Sequence, residues 1–146
     1  MIDWDRRFID QAYHVSLWSK DRSTKVGAVI ARDKHIISSG YNGPPRGVDD
    51  EDPYYHDREG DKYHWFEHAE RNAIYQAAKL GVSAEGATLY STHPPCADCA
   101  RGIVQSGITR VVSIPADPRL EEAWGHSLGV GREIFSRCGV EYGEIV

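Results

Sequence analysis

From residue 67 onward the chain alternates between helix-period and strand-period apolar patterns, and that alternation leaves few folds open. Residues 67–79 carry an apolar stripe of Ala69, Ala73, Ile74 and Ala77, stopped by Gly81. Thr88-Leu89-Tyr90-Ser91 reads as a strand, residues 97–106 as a helix stopped by Gly107, and residues 109–114 as a Val- and Ile-rich strand. A helix over 120–137, interrupted at Gly125, Gly129 and Gly131, and a short strand at 140–142 complete the series. Strands separated by helices pair in parallel, and such a sheet is covered on both faces. The first half reads differently. Trp4, Phe8, Ala12, Val15 and Trp18 recur at helical spacing over residues 4–19, with Asp3 as the N-cap. Val26-Gly27-Ala28-Val29-Ile30-Ala31 and Ile36-Ile37-Ser38-Ser39, joined at Asp33-Lys34, predict an antiparallel hairpin. The expected fold class is α/β, a three-layer α/β/α sandwich on a five-stranded mixed sheet. At 146 residues, with no repeat or linker, residues 1–146 are expected to form one domain.

Residues 40–63 fit neither period. They hold Gly43, Pro44, Pro45, Gly47, Pro53, Gly60 and many acids. A loop of this length in a compact domain is usually functional or mobile. Its aromatic residues, Tyr54 and Tyr55 with His56 and His64 nearby, are expected to stack on a base or to be buried at a subunit interface.

Two segments carry chemistry: His68-Ala69-Glu70 and Pro95-Cys96-Ala97-Asp98-Cys99. Each falls at or near a predicted helix start, and in parallel α/β sheets such starts gather at one edge. One imidazole and two thiolates meeting there suit a tetrahedral zinc ion, one per chain, with a fourth position open to water. Helix N-termini also favour thiolates. Glu70, two residues past His68, is placed to move protons rather than to bind metal. A closed structural zinc site wants a fourth Cys or His. His93 and His64 are the nearby spares, and His93 reads as a pocket wall. Cys138 stands alone and reads as a buried small hydrophobe. Three cysteines do not make a disulfide framework.

Composition narrows the partners. Hydrophobic residues are 40%, charged residues 27% and the net charge is -5, with no basic tail. That disfavours a protein that neutralises many phosphates of a long nucleic acid. No apolar run is long enough to span a bilayer, and the acidic start Met1-Ile2-Asp3-Trp4-Asp5 lacks signal-peptide character. A cytoplasmic location is expected.

Together, His-x-Glu and Pro-Cys-x-x-Cys mark the zinc nucleobase deaminases. The chain resembles the deoxycytidylate (dCMP) deaminases in particular. The resemblance rests on Ser19-Lys20-Asp21, Val26-Gly27-Ala28-Val29-Ile30, Gly40-Tyr41-Asn42-Gly43-Pro44-Pro45-Arg46-Gly47, His68-Ala69-Glu70-Arg71-Asn72-Ala73-Ile74 and Gln105-Ser106-Gly107-Ile108. It implies hydrolysis of dCMP to dUMP and ammonia, feeding thymidylate synthesis. By matching position it implies zinc on His68, Cys96 and Cys99, a proton shuttle in Glu70, a sugar contact from Asn42 and a ring contact from the Ala69 N–H. Lys20, Lys25 and Arg46 are the candidates for the phosphate. It also implies a homo-oligomer, often a hexamer, and dCTP and dTTP as effectors. Two other readings stay open. One is a deaminase of the same fold acting on a modified dCMP or a transfer-RNA adenosine. The other is a non-enzymatic zinc module, which would have no use for Glu70.

Overall fold

A computed structural model describes residues 3–146. Met1 and Ile2 of the acidic start lie outside the described residues. Five strands, β1 (Gly27–Arg32), β2 (His35–Tyr41), β3 (Thr88–Ser91), β4 (Arg110–Ser113) and β5 (Glu141–Glu144), form one sheet. Their order is β2-β1-β3-β4-β5. β1 runs antiparallel to β2 and β3, while β3, β4 and β5 run parallel, so the sheet is mixed as expected. The helices are α1 (Trp4–Ser16), α2 (Lys62–Trp65), α3 (Ala69–Leu80), α4 (Ala97–Gln105) and α5 (Pro118–Cys138).

The layers follow from the two-residue period of a strand. Ala28, Ile30, Leu89 and Val111 point to one face, where they pack with Ala73 of α3, Ile103 of α4 and Phe135 of α5. Val29, Ala31, Tyr90 and Val112 point to the other, against Phe8, Ile9, Ala12 and Val15 of α1. The result is the three-layer sandwich. At the hairpin, Asp33 and Lys34 both take left-handed backbone (φ 54° and 64°). Two such central residues match the twist of the strands they join.

Three expectations change. α1 stops at Ser16, because Trp18 and Ser19 donate to Val15 and Ser16 in tighter three-residue turns. The long loop has structure of its own, with a 3-10 turn at Pro53–His56 and α2. Its rings pack on one another: Tyr54 and Tyr55 lie 5.1 Å apart, and Trp65 lies 5.0 Å from Tyr55. Gly43 and Glu67 exchange backbone hydrogen bonds of 3.1 and 2.8 Å, which close the base of this excursion. Finally, α5 runs unbroken through all three glycines. Gly131 explains why one of them is there. A Cβ at that position would stand 2.7 Å from the Pro95 carbonyl oxygen. Glycine lets the α5 backbone touch the segment that leads into Cys96. Among the described residues, no helix is long and apolar enough to cross a membrane.

Candidate active site

Two helix starts build the site. His68 is the N-cap of α3 and Cys96 the N-cap of α4. Both have extended backbone, their carbonyls accept the first helical N–H, and neither side chain is spent on capping. Cys99 follows on the first turn of α4 and is fully buried. The loop base at Gly43 and Glu67 fixes the entry to α3. Gly40 on β2 lets α3 press close, since a Cβ there would lie 2.4 Å from the Ala73 nitrogen.

The three donors converge. His68 Nδ1 lies 3.4 Å from Cys96 Sγ and 3.3 Å from Cys99 Sγ, and the ligand atoms all fall within 4.8 Å of one another. Tetrahedral zinc, with bonds of about 2.0–2.1 Å to nitrogen and about 2.3 Å to sulfur, sets an N···S separation of about 3.5 Å. The donor set and its spacing therefore fit one zinc ion. The charges fit as well. The Cys96 thiol is pushed down to about 4 by the hydrogen bond from Cys99 and by His68 beside it. The Cys99 thiol is held well above its usual range, as the donor to Cys96 and by burial. The bond to Cys96 raises His68. A cation gripped by both sulfurs displaces the proton that Cys99 keeps.

Glu70 sits on the first turn of α3, 4% exposed. Burial raises its carboxyl above the usual range, with His68 pulling the other way. Glu70, His68, Cys96, Ala69 and Asn42 all line one cavity of about 280 Å³. Asn42 is heavily committed. Its Nδ2 donates to Asp21 Oδ2 (3.1 Å) and to the Thr24 carbonyl (3.0 Å), while Oδ1 accepts from the Val26 N–H (2.9 Å). It braces the turn before β1 as well as walling the cavity.

The expected phosphate contacts do not reach this cavity. Lys20 pairs with Glu51 at 3.3 Å and Arg46 donates to Gln76. Both face a second hollow beside Tyr41 and Tyr75. Lys25 is exposed and lines neither. The cavity instead presents Arg58, Lys62 and Arg71, with Tyr63 and Trp124 also in its lining. Trp124 lies edge-on to His68, ring centres 6.0 Å apart. Within residues 40–63 no sequence pattern singles out Arg58 or Lys62, and none marks Trp124. His93 lines the cavity and stays outside the metal-facing group. Burial lowers its basicity. Cys138 is exposed, not buried. It is the last residue of α5, where the chain turns into the left-handed Gly139 at the surface.

Residues 2–114 match the family model of the cytidine and deoxycytidylate deaminase zinc-binding region. An uncharacterized deaminase encoded in the luxG 3′ region of Aliivibrio fischeri is 41% identical over 138 residues, covering 94% of this chain and 90% of that protein. The deoxycytidylate deaminase of Enterobacteria phage T2 is 37% identical over 164 aligned positions, covering 86% and 87%. The dCMP deaminase of cyanophage S-TIM5, solved in complex with dCMP and dUMP, superposes with a TM-score of 0.77 at 27% identity, covering 96% of this chain and 95% of that one.

Proposed function

This chain is a deaminase of the cytidine and deoxycytidylate deaminase family, and on that premise we propose that it converts dCMP and water to dUMP and ammonia. One observation carries the reading. His68 and Cys96 share a cavity of about 280 Å³ with the buried carboxyl of Glu70, and Cys99 closes the metal-facing group behind them. That volume lies just below the usual range of ligand sites, about 300–1,000 Å³, and favours a single small nucleotide over a larger ligand.

His68, Cys96 and Cys99 hold the zinc. When bound, zinc supplies the Lewis acidity that makes a nucleophilic water available near neutral pH. Glu70 takes one proton from the attacking water and delivers it to the ring nitrogen, then takes the second from the hydroxyl left on the ring carbon and delivers it to the amine, which departs as ammonia. Its burial keeps competing water away and its carboxyl basic enough to accept that proton. The Ala69 N–H opens α3, where helical N–H groups lack intrahelical partners, and it binds the ring carbonyl. Asn42 Oδ1 keeps one lone pair beyond its bond to Val26, and that lone pair accepts from a sugar hydroxyl. A structural zinc module has no role for Glu70, and an acidic chain is poorly suited to transfer RNA.

Residues 1–146 act as one domain in this reading, in the cytoplasm, upstream of thymidylate synthesis. Assembly into a homo-oligomer, with dCTP and dTTP as effectors, belongs to the same proposal. Leu17 and Trp18, 66% and 52% exposed after α1, are apolar surface that such an assembly would bury. Sedimentation as a monomer with and without those nucleotides removes that part. The substrate is tested by ammonia release from dCMP, CMP, deoxycytidine, dCTP, a 5-substituted dCMP and an RNA stem-loop. dCMP is expected to give the highest kcat/KM. A higher value for any other member replaces the substrate named here.

A further inference from the structure

The substrate proposed above carries a dianionic 5′-phosphate, while this chain has a net charge of -5. Long-range attraction does not bring the two together, so a local cation has to grip the phosphate. Three non-histidine cations line the cavity: Arg58, Lys62 and Arg71. Two are already spent. Arg71 Nε lies 2.8 Å from Glu67 Oε1, with Asp98 3.9 Å from its Nη1. Lys62 Nζ lies 3.1 Å from Asp21 Oδ1, and both side chains are under a tenth exposed. Asp21 in turn accepts from the N–H groups of Ser23 and Thr24, so the Lys62–Asp21 pair ties α2 to the turn before β1. It leaves that wall without net charge.

Arg58 is the exception. Among the described residues it has no carboxylate within 4.0 Å and no side-chain hydrogen bond. The turn that carries it is held in place. Asp57 accepts from the N–H groups of Glu59, Gly60 and Lys62, and the packed rings of Tyr54, Tyr55 and Trp65 flank it. Ser23 and Thr24 line the same cavity, their hydroxyls not spent on one another. A guanidinium is a planar fork that matches phosphate with two parallel hydrogen bonds.

We propose that Arg58 is the residue that reads the 5′-phosphate, with the Ser23 and Thr24 hydroxyls beside it, and that Lys62 neutralises Asp21 so that the wall does not repel the anion. This rests on the dCMP reading. It moves phosphate recognition from Lys20, Lys25 and Arg46 into the long loop.

The test compares kcat/KM for dCMP and deoxycytidine in the zinc-loaded wild type, Arg58→Gln and Arg58→Lys. Arg137→Gln, at the far end of α5, is the control for loss of charge. Loss of a charge-assisted contact is worth about ten- to a hundredfold. The dCMP to deoxycytidine ratio is therefore expected to fall by that factor in Arg58→Gln, chiefly through KM for dCMP. Arg58→Lys should recover part of it, and Arg137→Gln should keep the wild-type ratio. Calorimetry should show the same loss for dUMP and none for deoxyuridine. A wild type that prefers dCMP, with an Arg58→Gln ratio unchanged, overturns this proposal and leaves the substrate reading intact. A wild type indifferent to the phosphate overturns both.

Discussion

Glu70 is a carboxyl group almost out of contact with water, beside an imidazole and two sulfurs that suit a cation. In the proposed mechanism it moves a proton, a task that offsets the cost of burying an acid. Glu70→Gln keeps shape and removes the proton acceptor. We expect the variant to retain its zinc and its melting temperature and to lose roughly 10²–10⁴-fold in kcat or more. Turnover near the wild-type rate in the metal-loaded variant would remove Glu70 from the mechanism. At this scale the sequence is legible where spacing alone does the placing. Cys96 and Cys99 sit three apart across one turn of α4, and His68 and Glu70 bracket the start of α3. It is not legible where a long side chain chooses its partner across the fold. Lys20 goes to Glu51 and Arg46 to Gln76. Neither choice leaves a trace in the neighbouring sequence, and nothing in the sequence around Arg58 shows that it lines the cavity.

Between elements, the contact that matters most to the site is α5 against the segment entering α4. Three glycines in one helix read as interruptions, since each weakens a helix by about 1 kcal/mol relative to Ala. At Gly131 a tertiary contact outweighs that preference. Gly131→Ala sets a methyl 2.7 Å from the Pro95 oxygen, and backbone on both sides leaves little room to yield. Overpacking of this kind costs about 1–3 kcal/mol. We expect a lower melting temperature together with weaker zinc retention against a chelator, because the displaced segment carries Cys96. A variant as stable and as zinc-retentive as wild type would show that the contact relaxes freely. The other elements declare themselves through short-range chemistry. Asp33-Lys34 supplies a two-residue hairpin turn, and Asp3 caps α1 by accepting from the Arg6 N–H.

Across the whole molecule, α1 is fastened to the far face of the sheet by Asp5. Its two carboxylate oxygens meet the Arg110 guanidinium at 2.8 and 2.7 Å, and one also accepts from the Tyr90 hydroxyl at 2.8 Å. The Arg110 hydrogen bonds hold the Asp5 carboxyl below its usual value. A depressed folded-state value stabilises the fold above the unfolded value of about 3.9 and is lost as pH falls through the lower, folded one. Asp5→Asn should therefore lower the urea midpoint at pH 7, and the gap to wild type should narrow at pH 3. An equal gap at both values would mean that the tie is not electrostatic. This link spans 105 positions in sequence, from Asp5 to Arg110, and no periodicity reveals it.

In the proposed function, one zinc ion held where α3 and α4 begin gives this chain its deaminase activity toward dCMP. The direct measurement strips the protein of metal, titrates zinc back and follows ammonia release from dCMP at each point. We expect no release from the stripped protein and a linear rise that ends at one zinc per chain. Full activity in the stripped protein, or a rise that ends only at two zincs per chain, would contradict it.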